Sequence, residues 1–118
     1  MIGIIPAGGR GTRFKPYSDI IPKELMIVDD HPIIEHNILA MKEADVTDII
    51  IVISKDKWQI TKYLGSGKLY GVNLIYLVQD KLEGVGSAIL ETEHLINQLP
   101  NHENIVITWG DSYIKPYS

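Results

Sequence analysis

Four short apolar runs are spaced along the chain, and the stretches between them change period. Ile2–Pro6 is almost wholly apolar, as is Asp48–Ser54, where Ile49, Ile50, Ile51 and Ile53 flank Val52. Val72–Val78 and Asn104–Trp109 repeat the pattern. Runs of this length without polar alternation predict strands buried on both faces, as in a parallel sheet. Between them the spacing becomes helical. Ile34, Ile38 and Met41, with Ala40 and Ala44, mark one face of a helix that Pro32 would open, with Asp29 and Asp30 near its positive end. Asp56–Leu64 predicts a short helix stopped by Gly65-Ser66-Gly67. Ser87–Leu99 predicts a third, with Ala88, Leu95 and Leu99 on one face and Pro100 after it. Glu24–Val28 reads as extended or irregular, and Asp29–Pro32 as a turn.

Strands alternating with helices predict an α/β fold, a parallel sheet in a three-layer α/β/α sandwich. A length of 118 residues predicts one domain with a real core. The 45% hydrophobic and 22% charged content are those of an ordinary globular chain. The absence of cysteine removes disulfide and thiolate chemistry and fits a reducing compartment. Met1 leads straight into a strand with no signal-peptide pattern, and no run is long enough to span a bilayer, so the expectation is a cytoplasmic protein without membrane contact. A net charge of −4 argues against general nucleic-acid binding.

Charge is unevenly placed, and this points to a ligand. Residues 1–23 carry Arg10, Arg13, Lys15 and Lys23 against Asp19, a net +3, so the other residues carry −7 of the −4 total. The positive stretch holds Ala7-Gly8-Gly9-Arg10-Gly11-Thr12-Arg13, directly after the first strand. Glycines let backbone N–H groups approach an anion, and an arginine can grip two phosphate oxygens. A Gly-Gly pair alone would equally be a surface turn. The added Gly11-Thr12-Arg13 and the downstream Pro22-Lys23 favour a phosphate cradle. Two familiar loops do not fit. The dinucleotide fingerprint counted from Gly9 meets Phe14 where its third glycine belongs. Gly3 and Gly8 have P-loop spacing, but Gly9-Arg10 follow where Lys-Ser/Thr is required. Pro16 and Pro22 oppose a long helix opening in the loop, so loop amides and cationic side chains would hold the phosphates.

The pattern Ala7-Gly8-Gly9-x-Gly11-Thr12-Arg13-x-x-Pro16, with Pro22-Lys23-x-Leu25, resembles the signature of sugar-1-phosphate nucleotidylyltransferases. The resemblance is nearest to glucose-1-phosphate thymidylyltransferases and uridylyltransferases. It runs over essentially all of the chain and covers the first, nucleotide-binding half of such a domain. The sugar-binding half would lie beyond Ser118. The resemblance implies a Rossmann-like sandwich of the nucleotide-diphospho-sugar transferase type, with a partial parallel sheet of strand order 3-2-1-4. Ligands of such sheets bind at the carboxyl ends of strands, where the order reverses. The Gly-rich loop and Asp111 would meet there.

The same resemblance assigns roles. Arg13 and Lys23 would be catalytic, steadying the charge on the transferring phosphoryl group and the phosphates. Ala7, Gly8, Gly9, Gly11 and Thr12 would bind nucleotide, with Gln79 and Gly84 at the base. Asp111 would hold Mg²⁺, an ion that prefers oxygen ligands. Taken alone, Asp111 after Gly110 is a turn aspartate, Lys23 a surface lysine, and the glycines near 84 turn residues. The histidines His31, His36, His94 and His102 lack metal-ligand spacing and read as structural. The implied reaction joins dTTP or UTP to a sugar 1-phosphate, giving an NDP-sugar and pyrophosphate. The attacking phosphate oxygen is already ionised, so positioning and charge neutralisation suffice and no general base is called for. The competing reading is a truncated or regulatory nucleotide-binding module without turnover. A sheet edge left open after the fourth strand would favour a homo-oligomer.

Overall fold

The computed structural model describes residues 2–7, 22–54, 57–79, 92, 97 and 105–108. Four strands form one parallel sheet: β1 (Ile2–Pro6), β4 (Asp48–Ser54), β5 (Asn73–Gln79) and β6 (Ile105–Ile107). A two-stranded ribbon of β2 (Ile27–Val28) and β3 (His31–Pro32) precedes helix α1 (Ile33–Glu43), and α2 (Trp58–Leu64) joins β4 to β5.

The apolar runs of β1 and β4 form the centre of the sheet, where both faces are covered. Ile5, Ile49, Ile51 and Ile53 face Ile34, Ile38 and Met41 of α1 and Ile60 and Leu64 of α2 in one buried cluster. On the other face Ile2, Ile4, Ile50 and Val52 are also fully buried. A strand with alternate residues in two cores has no position for a polar side chain, which is why the runs lack alternation. β1 lies centrally and packs closely under α1. A Cβ on Gly3 would collide with Met41 Sδ, so glycine there lets the helix approach the strand.

The sheet order is β5-β4-β1-β6, which is 3-2-1-4 when the parallel strands alone are counted. The register is continuous: Ile4 pairs with Ile50 and Ile107, Pro6 with Val52, and Ser54 with Gln79. The differences from the sequence reading are local. Residues 27–32 form a small hairpin: Ile27–Val28 are extended, within the reading of 24–28 as extended or irregular, and the turn at 29–30 is followed by a second strand, His31–Pro32. Asp29 and Asp30 both take positive φ, 50° and 67°, as tight hairpin turns require, and so serve the hairpin before they serve the helix. Pro32 is the residue before α1 and not its first member, with φ −56° and ψ 146°. Its buried ring still sets the chain's entry into the helix, and the first helical N–H, of Ile33, is taken up by Met26 O at 3.0 Å. α2 begins at Trp58, and β5 is shifted by one residue to Asn73–Gln79. The helix expected over 87–99 lies outside the described residues except for Thr92, which is buried, and Asn97.

Candidate functional site

All four parallel strands end on one edge, and of the sequence-predicted site residues Ala7 and Gln79 are described at those ends. β1 leaves the sheet at Pro6. Ala7 is still tied to β4, its N–H donating to Val52 O at 2.7 Å, and is buried. β4 stands on one side of β1 and β6 on the other, so the loop that follows Ala7 departs where the strand order reverses. Thr108 extends β6 by one more bond, donating to Ile4 O at 3.1 Å. The first and fourth parallel strands therefore do lie side by side, as the strand order requires. Gly8, Gly9, Gly11, Thr12, Arg13, Gly84 and Asp111 lie outside the described residues.

The chain re-enters at Pro22, which is buried, and turns through a short 3-10 segment, Lys23–Leu25. Leu25 N–H closes the turn on Pro22 O at 2.9 Å, and Leu25 packs on the main core. The backbone of Lys23 is thus fixed in this turn; its side chain lies outside the description. Its neighbour Glu24 is 1% exposed, and Lys57 Nζ donates to both of its carboxylate oxygens, at 3.1 and 3.0 Å. Lys57 immediately precedes α2, so this pair binds the turn to the connection leaving β4. Sequence reasoning missed both residues. A lysine and a glutamate 33 positions apart carry no local signal of pairing.

Gln79 is the last residue of β5, opposite Ser54. Its side chain is 4% exposed, and its Nε2 has no hydrogen-bond partner among the described residues. Thr108 Oγ1, after β6, is buried and likewise has no hydrogen-bond partner among the described residues. Both atoms lie at the carboxyl edge of the sheet, where the segments that follow Gln79 and Thr108 lie outside the described residues.

The described histidines have structural work, as the sequence reading expects. His36 Nε2 donates to Val28 O and braces the hairpin, and His31 Nδ1 lies 2.8 Å from Glu35 Oε1. The hydroxyls of Tyr63 and Tyr70 both donate to Glu35 Oε2 at 3.3 Å, tying α2 and the turn after it to α1. Burial and then the Glu35 carboxylate raise both phenols above their ordinary range. Burial also pushes Tyr76 up to about 12, and its hydroxyl donates to Gly65 O at 2.6 Å. Among the described residues no group of three or more His, Asp or Glu is arranged to hold a metal, and no helix is long and apolar enough to cross a membrane.

The family model for nucleotidyl transferases matches residues 2–118. The chain belongs to the nucleotidyl transferase family. Within that family it is 31% identical over 113 residues to a glucose-1-phosphate thymidylyltransferase of Neisseria meningitidis, covering 95% of this chain and 38% of the relative. Among solved structures it superposes with a TM-score of 0.85 and 34% identity on a Bacillus anthracis protein, described as a glucose-1-phosphate thymidylyltransferase and crystallised with sucrose. That match covers 94% of this chain and 44% of the other. UDP-glucose pyrophosphorylase complexed with UDP-glucose superposes with a TM-score of 0.74 at 28% identity, covering 93% and 45%. This nucleotidyl transferase chain therefore spans less than half the length of the relatives it matches. Both solved structures share its α/β architecture.

Proposed function

We propose that this chain is the nucleotide-binding half of an enzyme that transfers a nucleotidyl group from dTTP or UTP to a sugar 1-phosphate. The sugar would be glucose 1-phosphate, and the products an NDP-sugar and pyrophosphate. Residues 1–118 supply the triphosphate side of the site, and the sugar side belongs to the part of the relatives that this chain does not match. The observation that carries the reading is the buried Gln79 at the carboxyl edge of the sheet, whose Nε2 has no hydrogen-bond partner among the described residues. Thymine and uracil offer a carbonyl acceptor beside an N–H donor, and a carboxamide can answer both. Gly84 would let the backbone come close to the same base. Ala7, Gly8, Gly9, Gly11 and Thr12 would present backbone N–H groups to the phosphates.

The chemistry needs little beyond placement and positive charge, because the attacking phosphate oxygen is already an anion. Arg13 steadies the charge that builds on the transferring phosphoryl group, and Lys23 grips the phosphates from the turn that Pro22 stiffens. Asp111 offers the oxygen ligand that Mg²⁺ takes, and the ion when bound would neutralise charge on the triphosphate.

The test is unfolding of the protein with dTTP, UTP, GTP and ATP, each with and without Mg²⁺, alongside pyrophosphate release in the presence of glucose 1-phosphate. A ligand at a hundred times its dissociation constant adds about 2.7 kcal/mol of stability. Stabilisation by dTTP or UTP alone, with pyrophosphate release, is the expected result. Stabilisation without release favours the second reading, a nucleotide-binding module without turnover. No response to any nucleotide overturns both.

A further inference from the structure

The Glu24–Lys57 pair lies outside the roles given so far, and its burial calls for an explanation. A carboxylate on a side chain 1% exposed and an ammonium on a side chain 10% exposed are costly to desolvate. Such pairs are weak sources of stability, because apolar residues of similar volume often serve as well or better. They do fix geometry, since Lys57 Nζ sits against both carboxylate oxygens at 3.1 and 3.0 Å. What they fix here is specific. Glu24 is the middle residue of the 3-10 turn whose first residue is Lys23. One end of the turn is held by the buried Pro22 and the other by Leu25 in the core. The pair adds a third tether, to the segment between β4 and α2, on the same edge of the sheet from which the loop after Ala7 leaves.

We infer that Glu24 and Lys57 are a positioning pair. Their buried contact sets the orientation of the Pro22–Leu25 turn, and through it the place of the Lys23 ammonium at the phosphates. The inference rests on the phosphate-binding role proposed for Lys23. Neither residue of the pair touches substrate in this scheme. Removing Lys57 lets the turn rotate, and a displacement of about 1 Å at a charged group can cost up to about a hundredfold in rate.

The experiment is a double-mutant cycle on turnover, measured as pyrophosphate release by the full-length protein. Lys57→Met is made in the wild-type and in the Lys23→Ala backgrounds. The apolar pair Glu24→Met/Lys57→Met is taken through the same two backgrounds, because it removes both charges of the pair together and keeps the test open if the single variant does not fold. Loss of Lys57 is expected to lower kcat by about 10- to 100-fold when Lys23 is present and by less than about twofold when it is absent. The apolar pair should unfold near the wild-type urea midpoint yet keep the kcat defect. Equal losses in both backgrounds, or wild-type kcat in the apolar pair, overturn the inference and leave the role of Lys23 intact. Wild-type turnover in Lys23→Ala overturns the role of Lys23 itself, and the positioning role falls with it.

Discussion

Replacing Gln79 by methionine should strengthen the protein and weaken its grip on nucleotide at the same time. The side chain is 4% exposed and its Nε2 has no partner among the described residues. A buried donor left unpaired costs about 1–3 kcal/mol, all of it carried by the ligand-free state. Methionine is unbranched, similar in length and pliable, so it can occupy the same space without the amide. The ligand-free Gln79→Met variant should therefore gain about 1 kcal/mol or more, the lower end of that range. With a urea slope of about 2 kcal/mol/M the midpoint would rise by about 0.5 M. Binding should move the other way. One or two lost hydrogen bonds at about 1 kcal/mol each weaken the affinity for dTTP or UTP by about five- to thirtyfold. Urea unfolding with and without dTTP and Mg²⁺ reads both quantities on one sample. A variant that is less stable without ligand, yet binds dTTP as tightly as the parent, would show that the amide serves the fold. The base-reading role would then be wrong.

Other perturbations follow from local geometry. Arg13→Ala in the complete enzyme should slow turnover by about 10²–10³ with the urea midpoint unchanged, and near-normal pyrophosphate release would remove the residue from the catalytic set. Gly67→Ala should cost about 2–5 kcal/mol: φ is +87°, and a Cβ would stand 2.6 Å from Leu74 Cγ and 2.7 Å from Val72 O, neither able to yield easily. Gly71→Ala, at φ +74° but meeting only the mobile end of Lys42, should cost about 1–2 kcal/mol, so equal urea midpoints for the two would contradict the steric argument. The raised phenols of Tyr63, Tyr70 and Tyr76 predict alkaline weakening. Above the ordinary tyrosine pKa of 10.0 the unfolded chain loses these protons while the folded chain keeps them, so stability should fall as pH rises from 10.0 through about 12, the value for Tyr76. Phenolate absorbance appearing only with unfolding would confirm it, and full ionisation in the folded protein near pH 10 would not fit.

The sequence by itself determined the sheet. The runs of β1 and β4 are apolar because these central strands have a core on both faces, and that constraint is written residue by residue. The strand order 3-2-1-4 came through the Gly-rich signature, and the packing of β1 between β4 and β6 agrees with it. The family was legible in the same way, since a loop of glycines and arginines after a strand is local chemistry. What the sequence could not give was anything that depends on long-range proximity or on a choice between two local conformations. Asp29-Asp30 suits either a helix start or a hairpin turn, and pairing of Ile27 with Pro32 decided for the hairpin. Glu24 and Lys57 look like two surface charges until folding buries them against each other. Gln79 is one more polar residue at a strand end until the tertiary structure buries it and leaves its Nε2 without a partner among the described residues. Burial is a property of the whole chain, and the meaning of a polar side chain changes with it.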